Sequence, residues 1–137
     1  MKENPIGIFD SGVGGLTVFT EIRKKLKNEN IIYLGDTKNF PYGDKSQEEI
    51  IKYSIYNTEL LINKGVKLIV VACGTATSQA IDVLKSKFNI PIIGIIDPTV
   101  EYVKKQNIDT IGVIATEGTI RSGAWEKQLK NNIHNIN

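Results

Sequence analysis

Residues Ile6-Gly7-Ile8-Phe9-Asp10-Ser11-Gly12-Val13-Gly14-Gly15-Leu16-Thr17-Val18 run from a short apolar stretch, through a glycine-rich turn, into a second apolar stretch. This order predicts a buried strand that turns into a helix, with a carboxylate and a hydroxyl at the turn. In open α/β sheets the carboxyl ends of the strands form the ligand crevice, and glycines there let backbone N–H groups approach an anion at a helix N-terminus. Runs at 31–34, 67–72, 91–95 and 110–115, like 6–9, are short, rich in β-branched residues and apolar on both faces, which predicts buried parallel strands.

Between these runs lie helix-length segments with apolar residues three and four apart. They are Leu16, Phe19, Ile22 and Leu26; then Ile50, Ile51, Ile55, Leu60 and Leu61; then Ala80, Ile81, Leu84 and Phe88. Ser46 and Glu49 form a capping-box pair ahead of the second segment, and Pro98 suits the first turn of a fourth helix. A further helix is expected around Trp125. Strictly alternating strands and helices predict a doubly wound α/β fold with a parallel sheet.

With 137 residues, 41% hydrophobic and 23% charged, the chain has the composition of a soluble globular domain, and its net charge of +2 makes no electrostatic case for nucleic acid or a membrane surface. No stretch approaches the roughly 18 apolar residues of a membrane span, and Met1-Lys2-Glu3-Asn4-Pro5 is not an apolar signal segment; a cytoplasmic location is expected. One cysteine, Cys73, and one histidine, His134, make no disulfide framework and no zinc site.

Three loops carry the chemistry. Asp10 and Ser11, after the first strand, read either as caps for the following helix or as ligand groups. The longer segment 35–45 reads either as a surface loop or as a flap bringing Tyr42 and the Gly43 backbone over the crevice. The third loop, Val71-Ala72-Cys73-Gly74-Thr75-Ala76-Thr77-Ser78, places Cys73 where a strand ends and a helix starts. There Cys73 is either a buried small hydrophobe or a reactive thiol, since a helix N-terminus stabilises thiolate. Gly74 and Thr75 beside it offer N–H groups and a hydroxyl to a carboxylate.

Strand, glycine-rich turn, helix and a second strand ending in Asp36 also imitate a dinucleotide-binding unit. Two details oppose that reading: Thr17 stands where the third glycine of the fingerprint belongs, and Asp10 would set a negative charge beside a pyrophosphate. No Walker A sequence is present.

Taken together, Phe-Asp-Ser-Gly-Val-Gly-Gly-Leu-Thr-Val from Phe9, Gly-Asp-Thr-Lys-Asn-Phe-Pro-Tyr-Gly from Gly35 and Ala-Cys-Gly-Thr-Ala from Ala72 resemble bacterial glutamate racemase of the aspartate/glutamate racemase family. The similarity continues through Gly112-Val113-Ile114-Ala115-Thr116-Glu117-Gly118-Thr119-Ile120. The resemblance implies two flavodoxin-like lobes with glutamate between them, no cofactor and no metal, and a supply of D-glutamate for peptidoglycan. It implies that Cys73 is one of two catalytic thiols and that Asp10, Ser11, Tyr42, Gly43, Gly74 and Thr75 hold the amino acid, with Thr116 and Thr119 at the same pocket. A homodimer is compatible with it.

The chain departs from the family's pattern in two ways. Gly74 stands where the family usually has Asn, and the second thiol, which the family carries in a Gly-Cys-Thr-His segment of its other lobe, has no counterpart in these residues. The chain is expected to be the N-terminal half, with residues 1–97 forming the first lobe and 98–137 the start of the second. Two functions of other classes compete with a racemase: a truncated half that only binds carboxylates or a partner, and a small nucleotide-binding domain.

Overall fold

The computed structural model of the chain describes residues 3–137, and their order is strand and helix in alternation. Strands β1 (Ile6–Asp10), β2 (Ile31–Gly35), β3 (Leu68–Val71) and β4 (Ile92–Gly94) form one parallel sheet in the order β2-β1-β3-β4. Helices α1 (Leu16–Lys25), α2 (Gln47–Asn63) and α3 (Gly74–Lys87) make the crossovers, and α4 (Ile96–Lys104) follows β4. The fold is α/β with a parallel sheet, as the alternation predicts.

Side chains of successive strand residues point to opposite faces, and the helices sort accordingly. On one face Phe9, Ile69, Val71 and Ile92 pack with Ile50 and Leu61 of α2 and with Ala76, Ala80 and Leu84 of α3. On the other, Ile6, Ile8, Val70 and Ala72 pack with Val18, Phe19 and Ile22 of α1 and with Ile31, Tyr33 and Leu68 of the sheet. That face is thinly covered: no α1 residue is fully buried, and Leu16 and Leu26, expected inside, are exposed. The uniformly buried strands expected also need correction. β1 and β3, the central pair, are buried along their length apart from Leu68, whereas the edge strand β2 is half-exposed throughout.

Ser46 caps α2 as its spacing predicts. Its hydroxyl accepts from the Glu49 N–H, and the Glu49 carboxylate accepts from the Ser46 N–H at 3.0 Å. Pro98 lies in the first turn of α4, and Trp125 lies in α6 (Ala124–Asn132), preceded by a short α5 (Glu117–Arg121) with no separate signal in the apolar spacing.

Residues 110–115 do not form the fifth strand their composition suggests. A strand exists only when its backbone groups are paired. Here the pairing reduces to Ile111 N–H to the Asn137 carbonyl (2.9 Å) and Asn137 N–H to the Asp109 carbonyl (2.7 Å), while Ile114 is fully solvent-exposed. A second apolar cluster of Ile96, Val100, Val103, Leu129 and Ile136 joins α4, α6 and the terminal segment.

Candidate functional site

The carboxyl ends of β1, β2 and β3 converge. The Asp36 N–H donates to the Asp10 carbonyl (2.9 Å), carrying the β1–β2 ladder one step past the strand, and the Ala72 N–H donates to the Phe9 carbonyl (2.8 Å) on the other side. The loops that follow lie against one another. Tyr33 donates its hydroxyl to the Gly12 carbonyl at 2.9 Å, and Gly35 passes so close that a Cβ there would stand 2.5 Å from that same oxygen.

In the first loop Oδ2 of buried Asp10 accepts the N–H groups of Gly12 (3.0 Å) and Gly15 (3.1 Å). The anion held by this glycine-rich turn is therefore the protein's own carboxylate, and the cap role and the site position coincide in one residue. Gly15 is required for the approach, because a Cβ would lie 2.6 Å from Asp10 Cβ and 2.9 Å from Ala72 Cβ. The dinucleotide reading loses its ground here. Two donors a pyrophosphate would take are already satisfied, and the Asp36 carboxylate that would bind a ribose is engaged inside the protein, as described below.

Cys73 occupies the N-cap of α3 in extended backbone conformation, and its Sγ accepts the Ala76 N–H at 3.4 Å. A cap is ordinarily an oxygen; here a sulfur stands at the first turn of α3, among the backbone N–H groups that a helix start leaves unpaired. Cys73 is only 5% exposed, and its Sγ lies 3.6 Å from the Ser11 hydroxyl, which brings the first and third loops together at the sulfur. Burial pushes the Tyr33 phenol up to about 12, with negative charge at Asp10 and Cys73 adding to it. One electrostatic neighbourhood thus contains all three groups.

Tyr42 does not reach over the crevice with its side chain. Its ring is 1% exposed, stacked at a tilt on Tyr53 with centroids 5.9 Å apart, and its hydroxyl donates to Asp36 Oδ2 at 2.6 Å. Burial, then that hydrogen bond, raises its pKa far above the ordinary phenol value. The adjoining Gly43 is half-buried and packs on Thr116: a Cβ at Gly43 would stand 2.9 Å from Thr116 Cγ2.

Thr116 caps α5 and shares a hydroxyl contact of 2.9 Å with Thr75, the second residue of α3, and another of 2.9 Å with Thr119. Thr116 is exposed; Thr75 and Thr119 are buried. Thr119 thus backs the pair. Gly74, half-buried at the start of α3, has open space before it, since a Cβ would meet only Ile95 Cδ1 at 3.8 Å. His134 is exposed on the terminal segment, and among the described residues no three His, Cys, Asp or Glu side chains gather to hold a metal.

Asp36 and Asn57, buried, and Asn39, half-buried, join Tyr42 in one hydrogen-bonded group and were not apparent as site residues from the sequence. A signal was available for one of them: Asn57 lies with Ser54 and Thr58 on the face of α2 that also presents Ile50 and Leu61 to the core, and buried amides demand partners.

The chain is similar to known proteins in sequence and in fold. Residues 6–136 match the model of the Asp/Glu/hydantoin racemase family. Glutamate racemase of Persephonella marina is 50% identical over 126 residues, covering 91% of this chain and 49% of its own length, and that of Aquifex pyrophilus is 49% identical with coverages of 91% and 50%. The solved glutamate racemase structure from Aquifex pyrophilus superposes with a TM-score of 0.92 at 45% identity, over 97% of this chain and 53% of that one. The Francisella tularensis glutamate racemase structure, in complex with D-glutamate, gives 0.88 at 41% identity over 97% and 51%. This chain spans about half the length of the relatives it matches, and by family model, sequence and fold it belongs to the Asp/Glu/hydantoin racemase family.

Proposed function

We propose that the chain carries one half of a cofactor-independent glutamate racemase site, in which Cys73 is one of two thiol acid/base groups and the second comes from outside these 137 residues. The observation that carries this reading is the Cys73 sulfur at the first turn of α3, 3.6 Å from the Ser11 hydroxyl, where three strand ends converge. Relatives of known name are glutamate racemases at 45–50% identity. Residues from 98 onward begin the second lobe, a division supported by the separate apolar cluster of Val100, Val103, Leu129 and Ile136, which Ile96 joins from just before it.

The α-hydrogen of glutamate is a very weak acid, so a base must be positioned while preorganised donors hold the charge that develops. The Cys73 thiolate takes the proton from one face, breaking the Cα–H bond and forming S–H. The electron pair left on Cα spreads into the α-carboxylate. A thiol on the opposite face then gives its proton to Cα and becomes the thiolate, which completes inversion. Asp10 and Ser11 hold the ammonium, while Gly74 and Thr75 at the start of α3 and the Gly43 backbone hold carboxylate. Thr116 borders the pocket and Thr119 supports it. The product, D-glutamate, serves cytoplasmic peptidoglycan synthesis.

A single thiol serves one face only. In heavy water the chain is therefore expected to place deuterium at Cα of one glutamate enantiomer, without inversion, and Cys73→Ala is expected to abolish the uptake. Uptake that survives Cys73→Ala, or a folded chain that neither binds glutamate nor exchanges its α-hydrogen, overturns the reading.

A further inference from the structure

The buried group centred on Asp36 has no part in the proton transfer described above. Asp36 is 8% exposed at the end of β2, and its N–H is tied to the Asp10 carbonyl. Its carboxylate accepts the Tyr42 hydroxyl at 2.6 Å, the Asn39 amide at 3.0 Å on each oxygen, the Asn39 N–H at 3.3 Å and the Asn57 amide at 3.5 Å. Asn57, 2% exposed on α2, also donates to the Tyr42 hydroxyl at 2.9 Å. The hydroxyl is thus both donor and acceptor, and its ring has one orientation.

A carboxylate this deep, whose hydrogen-bond donors are all neutral and which makes no ion pair within 4.0 Å among the described residues, is costly to desolvate. A turn needing only to be tied down could use a neutral acceptor. The geometry gives the stronger group a purpose. From Asp36 the contacts run to Tyr42, from the adjoining Gly43 to Thr116, and from Thr116 to Thr75 at the start of the helix that Cys73 caps.

We infer that Asp36 is a positioning residue: its carboxylate, acting through Tyr42, Asn39 and Asn57, sets the Tyr42–Gly43 edge of the crevice against Thr116 and so fixes the affinity for the substrate carboxylate. The consequence for substrate rests on the glutamate-racemase reading; the anchoring itself does not.

The test uses the 137-residue chain, its Asp36→Ala and Asp36→Asn variants, and L- and D-glutamate as probes. In Asp36→Ala the amides of residues 38–45 are expected to exchange with solvent at least tenfold faster, with β1, β3 and α3 still protected. The glutamate dissociation constant, followed by amide resonances, is expected to rise at least tenfold, with the Cys73-dependent deuterium uptake at saturation within about twofold. Asp36→Asn, which retains an acceptor for Tyr42, is expected to restore most of both effects. Unchanged exchange at 38–45, or loss of protection spread evenly over the whole sheet, overturns the anchor. Faster exchange at 38–45 with unchanged affinity overturns the link to substrate. If the wild-type chain neither binds nor exchanges glutamate, the racemase reading and the link to substrate both fail, and the amide measurement still decides the anchor.

Discussion

Two glycines at the crevice are glycine for opposite reasons. At Gly15 the backbone lies so close to Asp10 and Ala72 that any side chain collides with Cβ atoms of a strand end. Gly15→Ala is expected to cost about 1–3 kcal/mol, the usual penalty of overpacking, readable as a shift in urea midpoint. At Gly74 the same methyl meets one flexible methyl at ordinary contact distance. Gly74→Asn is expected to leave stability within about 0.5 kcal/mol, as at sites free of packing conflict, and to tighten glutamate binding by adding an amide beside the α3 N-terminus. Titration of the two chains with glutamate checks it, and equal affinities would remove the idea that Gly74 weakens the site.

At the level of the element, β2 and the segment after it carry two phenols whose ionisation folding opposes. The folded chain holds their protons to higher pH than the unfolded chain, whose tyrosines titrate near 10. This contribution is fully present below pH 10 and is lost as pH rises from 10 towards the folded value of about 12 at Tyr33, and further at Tyr42. Urea midpoints measured from pH 9 to 12 should therefore fall for wild type and fall less for Tyr33→Phe, which begins lower because it lacks the bond to Gly12. The elements themselves were legible where their cause is local. The apolar spacing of α1, α2 and α3 and the Ser46 cap are properties of adjacent residues. Residues 110–115 have strand composition without a strand, because pairing is supplied by the neighbours a segment finds. The meeting of the loops after β1, β2 and β3 followed from parallel topology alone, since such loops leave the same end of a sheet. The Asp36–Tyr42–Asn57 group was hidden because it depends on which turn of α2 passes behind the β2 loop.

The whole molecule is unevenly clothed. Two helices cover one face of the sheet, while on the other a groove of about 680 Å³ runs between α1 and the start of α4, lined by Val18, Ile22, Leu26, Val70, Ile93 and Pro98. Ile93, on edge strand β4, is 44% exposed to it. Exposed apolar surface of this extent drives association. The isolated chain is expected to self-associate as concentration rises and to bind an apolar fluorescent dye. Ile93→Lys is expected to reduce both while changing the melting temperature by no more than a few degrees. Light scattering of the two chains across a concentration series reads the difference.

The strand order β2-β1-β3-β4 also bears on how the chain is made. β1 leaves the ribosome before β2, β3 and β4, yet it lies inside the sheet and both of its neighbours are synthesised later. Until Leu68–Val71 has emerged, the apolar segment Ile6–Asp10 has at least one open edge, a state prone to wrong pairing. Ser11 cannot meet the Cys73 sulfur at the start of α3 before then, so the junction of the first and third loops comes into being only once the nascent chain has passed Cys73.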